Sequence, residues 1–214
     1  MSVRHHIAED LIVAYSAGAL PEAWSLAVAS HIAICLECRE IAATCDALGG
    51  VALDDIATDA MSEDALTACL AQIDGPPAPY VAPRPAEPTV LPAPLQAYVG
   101  GDVDQVRWRR VGGGVRQCIL PTEGDGVARL LHIPAGVRVP EHGHRGLEIT
   151  MTLAGSFSDG GERFARGDVQ HADDDVDHTP VAGMDGDCVC LAVTDAPLRF
   201  KSLAPRLVQR LARI

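Results

Sequence analysis

Apolar positions in the first third of the chain recur at helical spacing, whereas those beyond residue 94 alternate or run together in short blocks. A helical period over residues 6–17 stops before Gly18 and predicts a first helix. Pro21 followed by Glu22 opens a second, because proline is best tolerated at a first helical position. A third is predicted over 36–48, ended by Gly49 and Gly50. A fourth is predicted over 62–73, with Ser62 as N-cap and Glu63 and Asp64 at the positive end of the helix dipole. The later blocks, 106–111, 115–120, 127–133, 147–157 and 188–193, are β-branched and bounded by Gly, Pro and Asp. They predict antiparallel strands closing into a sandwich or barrel. No internal repeat is visible.

Composition divides the chain at the same place. Eight of fifteen prolines fall within residues 76–94, a density that excludes helix and central strand and favours an extended, semi-stiff chain. The expected architecture is α+β in two domains: a small helical domain over 1–75, a proline-rich linker over 76–94, and an antiparallel β-barrel domain over 95–214. Charge is divided as well. Residues 1–75 carry twelve acids and two bases, a net of −10, and residues 42–75 carry seven acids and no base. Residues 76–214 are near balance at −2.

These figures exclude several classes. No run approaches the roughly 18 apolar residues of a membrane span, and Glu9 with Asp10 interrupts the early apolar stretch, so neither a membrane helix nor a signal peptide is expected. A net charge of −12 opposes direct nucleic-acid binding, which needs a basic face. Seven cysteines, an odd number, read as thiols or metal ligands in a cytoplasmic protein rather than as a disulfide framework.

Two clusters carry chemistry. The first is His31, Cys35 and Cys38, spaced H-x3-C-x2-C. On a helix His31 and Cys35 share a face and Cys38 follows one turn later, so three donors converge. Zinc suits imidazole and thiolate donors and takes four of them in structural sites. The fourth must come from elsewhere, with His5 and His6 the obvious candidates. A redox role for Cys35 and Cys38 would belong at the end of a strand in a βαβ unit, and no such pattern surrounds them. Cys45 and Cys69 have no ligand spacing and read as small apolar residues. A histidine upstream of this motif in a short helical domain resembles the zinc-binding anti-sigma factors. In that family the fourth ligand is an N-terminal histidine, which implies His6 rather than His5.

The second cluster lies in the β region. His142 and His144 are two apart, and Glu148 lies four residues further on, so all three can face one way on extended chain. Two imidazoles and a carboxylate suit zinc, manganese, iron or nickel. Framed by Gly136 and Gly155, this spacing resembles the first motif of the cupins. The Arg166-Gly167-Asp168 turn resembles the second motif, with Ala165 in place of the usual proline and no asparagine after the histidine. Cupins take a fourth ligand from the head of the strand after a turn. That implies His178, at the head of the His178-Thr179-Pro180-Val181 segment, over the alternative His171. Cys188 and Cys190 read as core residues, and His132 as a lone strand histidine.

Taken together, the helical zinc domain, linker and cupin resemble the ChrR-type cupin-containing anti-sigma factors over essentially the whole chain. The resemblance implies a protein that holds an extracytoplasmic-function sigma factor inactive, one to one, through its N-terminal zinc domain. It implies further that the cupin is needed for release under oxidative stress, notably singlet oxygen. The acidic helical region agrees, since sigma factors present basic surfaces. An alternative is a cupin metalloenzyme of dioxygenase or isomerase type with a zinc-stabilised helical appendage. A third is a sensor whose cupin binds a ligand without turnover. No catalytic pair is visible beyond the metal ligands, so no enzymatic activity is expected.

Overall fold

Four helices open the chain in the computed structural model, which describes residues 2–73, 88–143, 146–173, 177–196 and 199–200. They are α1 (Glu9–Ser16), α2 (Glu22–Ile32), α3 (Leu36–Asp54) and α4 (Ala65–Ile73). Three follow the apolar period closely. The third does not stop at Gly49 and Gly50, which lie inside α3 with open space beside them. Glycine in a helix costs roughly 1 kcal/mol against alanine but breaks no hydrogen bond, so flanking residues can carry the helix through.

The periodicity also missed α5 (Ala93–Val99), which starts after Pro92 and ends at Gly100 in the left-handed conformation, φ 78°. Just before and within it, Leu91 and Leu95 are fully buried. Residues 74–87, most of the proline-rich stretch, lie outside the described residues.

The β region follows a short 3-10 turn at Val103–Gln105. Its larger sheet contains β1 (Arg109–Gly112), β2 (Val115–Ile119), β3 (Val127–Ile133), β5 (Glu148–Ala154), β8 (Val169–Ala172) and β10 (Cys188–Thr194). The order is β1-β2-β3-β10-β5-β8, antiparallel throughout. A second sheet joins β6 (Ser156–Asp159), β7 (Glu162–Ala165) and β9 (Val181–Ala182), and β4 (His142–Gly143) pairs with β11 (Arg199–Phe200). Among the described residues the expected barrel is thus a set of separate antiparallel sheets, not one closed ladder. The block expected as one strand over 147–157 breaks at Gly155. There φ is 64°, and a Cβ would run into the Asp187 carbonyl oxygen, so only glycine makes the corner from β5 to β6.

Strand parity sets what each face meets. Ile149, Met151 and Leu153 of β5, with Val189, Leu191 and Val193 of β10, join Trp24, Leu26 and Val28 of α2 in one buried cluster. The opposite parity, Ile133, Cys188 and Cys190, packs against Phe157, Phe164 and Ala182 of the smaller sheet. Both faces of the large sheet are therefore covered at its centre, which is why β10 is buried at every position. The helical region and the strands share a core.

Candidate functional site

The first donor group forms at the junction of α2 and α3. The single helix face expected for His31 and Cys35 is instead a helix–turn–helix. His31 lies in the last turn of α2, Cys35 is the N-cap of α3 and Cys38 sits in its first turn. The Cys35 amide still donates to the His31 carbonyl at 2.8 Å, which preserves the four-residue proximity. His6 joins from the segment before α1. Its Nδ1 lies 3.4 Å from both sulfurs, and His31 Nε2 lies 3.3 Å from Cys38 Sγ. One donor atom from each of His6, His31, Cys35 and Cys38 falls within 4.8 Å of the others. Tetrahedral zinc with nitrogen and sulfur ligands needs separations of roughly 3.3–3.8 Å, so these four fit one ion. Burial holds His31 down to about 4, with His6 adding to it, so its imidazole is neutral and able to ligate. Burial, with Cys35 alongside, pushes Cys38 up to about 12. A bound cation would offset both penalties on the thiolate.

His5, the other N-terminal candidate, points away. Its ring lies 4.5 Å from that of Phe164 and its Nδ1 is 3.6 Å from Asp168. Cys69 is exposed on α4 and Cys45 half-buried, so neither is the packed apolar residue expected.

The second group brings together His142, Glu148 and His178, with donor atoms within 4.8 Å of one another. His144 lies outside the described residues. His142 and His178 face each other across a β-bridge, with their backbone amides and carbonyls paired at 3.2 and 3.0 Å. His142 Nδ1 donates to the Pro140 carbonyl at 2.8 Å, and His178 Nδ1 donates to the Asp159 carboxylate at 2.9 Å. Those bonds leave lone pairs on the two Nε2 atoms, which stand 2.9 Å apart. With both Nδ1 atoms engaged, the Nε2 atoms are the ones turned toward a shared ion. Burial pushes Glu148 up to about 7, against the Thr150 hydroxyl and Arg129. His171 is not in this group. Gln170 takes the cavity-facing position on β8, so His171 points to the opposite side, with Nε2 3.2 Å from the His6 carbonyl oxygen.

Two features had no clear sequence signal. The Asp168 carboxylate accepts the amides of Arg4 at 2.7 Å, His5 at 3.0 Å and Ala165 at 2.8 Å. Burial opposes its charge, but these bonds outweigh it and hold Asp168 below the usual carboxylate range. Glu22 of α2 likewise accepts from the Tyr98 hydroxyl and the Glu123 amide.

The second half of α3 and all of α4 expose large apolar side chains. Leu48, Val51, Leu53 and Ile56 along and after α3, with Leu66, Leu70 and Ile73 on α4, are each at least 49% exposed. No residue of α4 is buried. The same stretch holds the seven acids without a base.

Residues 96–197 match the family model described as a ChrR cupin-like domain. Over 217 aligned positions, 100% of both chains, the protein is 52% identical to anti-sigma-E factor ChrR of Cereibacter sphaeroides. The chain belongs to the ChrR anti-sigma factor family. Its fold is similar to a crystal structure of Rhodobacter sphaeroides SigE in complex with the anti-sigma ChrR, with a TM-score of 0.78 and 49% identity. That match covers 91% of this chain and 100% of the other. ChrR kinship therefore takes in the helical region as well as the cupin-like one. Among the described residues, no helix is long and apolar enough to cross a membrane.

Proposed function

We propose that this chain binds and inhibits an extracytoplasmic-function RNA polymerase sigma factor, one to one, through its helical region. The cupin-like region then permits release under oxidative stress such as singlet oxygen. The observation that carries the reading is the exposed apolar surface of α3 and α4, set among acids, in a chain whose full-length relative is an anti-sigma factor. Large apolar side chains exposed in such number mark an interaction site, and their acidic surroundings complement a basic partner. A full-length relative that is a regulator also displaces the reading as a cupin metalloenzyme.

Zinc is the metal we assign to His6, His31, Cys35 and Cys38, on the softness and number of the donors. It would tie the N-terminal segment to the α2–α3 junction. His142, Glu148 and His178, with His144, would hold zinc or another divalent ion such as manganese, iron or nickel. The work of the protein is cytoplasmic on this reading.

Co-purification tests it. The full chain should retain an extracytoplasmic-function sigma factor at one to one, and Leu66→Glu with Leu70→Glu should weaken the complex by roughly a hundredfold or more. Both metal equivalents should remain, because neither side chain is part of the core. An unchanged complex in that variant would remove the surface from the mechanism.

A further inference from the structure

Between the sheets lies a cavity of about 390 Å³, within the size range of small-ligand sites. Its two ends differ. One is mostly apolar, built from Val115, Leu131, Ile133, Val139 and Phe157, with Arg138 also in its wall. The other gathers the His142, Glu148 and His178 cluster together with Arg129.

Metal binding makes no use of Arg129. It sits mid-strand in β3, in register with Ala192 of β10, which is in register with Thr150 of β5. That row is one step from Glu148 on the same parity, so the guanidinium shares the cavity with the donor cluster. Arg129 is only 4% exposed, and its Nε and one terminal nitrogen have no hydrogen-bond partner among the described residues. Glu148 is near enough to favour its charge, but burial prevails and lowers the affinity of Arg129 for its proton. A buried guanidinium in the wall of a largely apolar cavity, beside the donor cluster, suits an anion.

The shape and charge narrow the anion. A guanidinium takes a carboxylate bidentately. The Glu148 carboxylate and a lining that is mostly apolar favour a small monoanion with a hydrocarbon body over a phosphate dianion or a sugar. We propose that the cupin cavity binds a small amphipathic monocarboxylate, with its carboxylate on Arg129 and its hydrocarbon body along Val115, Leu131, Ile133 and Phe157. The inference goes beyond the anti-sigma reading and does not depend on it, because binding needs no sigma factor.

Calorimetric titration of the metal-loaded full chain with octanoate tests it. Saturable one-to-one binding is expected, with octanamide and acetate each weaker by roughly tenfold or more, one lacking the charge and the other the body. Arg129→Met should weaken octanoate by a similar factor, and Arg129→Lys by less, since lysine keeps the charge without the fork. Val115→Trp, which fills the apolar end and leaves Arg129 in place, should block octanoate and keep both metals. That variant carries the test if Arg129→Met fails to fold, as judged by metal content and circular dichroism. Absence of octanoate binding at millimolar concentration, or equal binding by Arg129→Met or Val115→Trp, overturns the proposal. So does an Arg129→Met protein whose metal affinity changes while its octanoate affinity does not, since the arginine would then only balance Glu148.

Discussion

Each histidine of the cupin-like cluster is set by what its other nitrogen does. Pro140 and Asp159 accept from the Nδ1 atoms of His142 and His178, which turns both Nε2 lone pairs toward one point. Asp159→Asn should therefore lower metal affinity at this cluster by about 10–100-fold, read by chelator competition, and leave the N-terminal equivalent in place. The two donor groups should also answer differently to pH. Glu148 holds its proton to about 7, so below that value the proton competes with metal and affinity falls by roughly tenfold per unit. Above 7 this competition ends and the Glu148 contribution levels off. Cys38, pushed up to about 12, must lose a proton to bind metal at any neutral pH, so affinity at the N-terminal group keeps rising from 7 to 9. Parallel curves for the two sites over that interval would contradict these assignments.

At the scale of elements, the segment carrying His6 is hung on an edge of the large sheet. The Val169 amide donates to the His5 carbonyl at 2.9 Å, and Asp168 returns bonds to the amides of Arg4 and His5. The next strand inward, β5, begins with Glu148, which is in register with Ala172 of β8. One strand thus touches both donor groups. Asp168→Ala leaves three amides without their acceptor and should cost a few kcal/mol, about 1–3 for each unmet donor that water cannot reach. Hydrogen exchange at Arg4 and His5 should quicken, and the N-terminal metal should leave faster to a chelator; unaltered rates at both would show that the contact is idle. Glycines give opposite signs in different elements. Gly50→Ala in α3 meets nothing and should stabilise the free chain by about 0.4–1 kcal/mol. Gly155→Ala, with φ 64° and the Asp187 carbonyl in its way, should destabilise it by about 2 kcal/mol or more. Thermal denaturation measures both.

At the scale of the whole molecule, charge and cover are unevenly distributed. The α2 helix packs with β3, β5 and β10 in one core, whereas the second half of α3 and α4 present apolar residues among acids. Association with a basic sigma factor should slow as salt rises, with dissociation much less affected; a rate indifferent to salt would remove the electrostatic part of the account. If the cupin-like cluster reports stress, His142→Ala should spare inhibition and blunt induction by singlet oxygen in a reporter assay. Normal induction in that variant, shown to lack its metal, would make the cluster structural. A change at the cluster must alter the free energy of the partner complex to act at all.

Features that depend on neighbours a few residues apart are legible along the chain. Helical period, the proline at the start of α2, the blocks that became β2, β3 and β10, and the spacing of His31, Cys35 and Cys38 are all local properties. The parity that turns Glu148 inward is local too. Local rules also explain the misreadings: a glycine pair looks like a stop, although α3 tolerates it, and a turn proline hides α5. Tertiary structure decided the rest. His6 joins the sulfurs and His5 does not because the amides of residues 4 and 5 are held by an acid more than 160 positions away. His178 meets His142 across 36 positions, while His171 is sent outward by the parity of β8. Arg129 enters a cavity wall only because the smaller sheet covers that face of β3. Such choices rest on contacts between distant segments, whose free energy appears only when the sheet is covered on both faces.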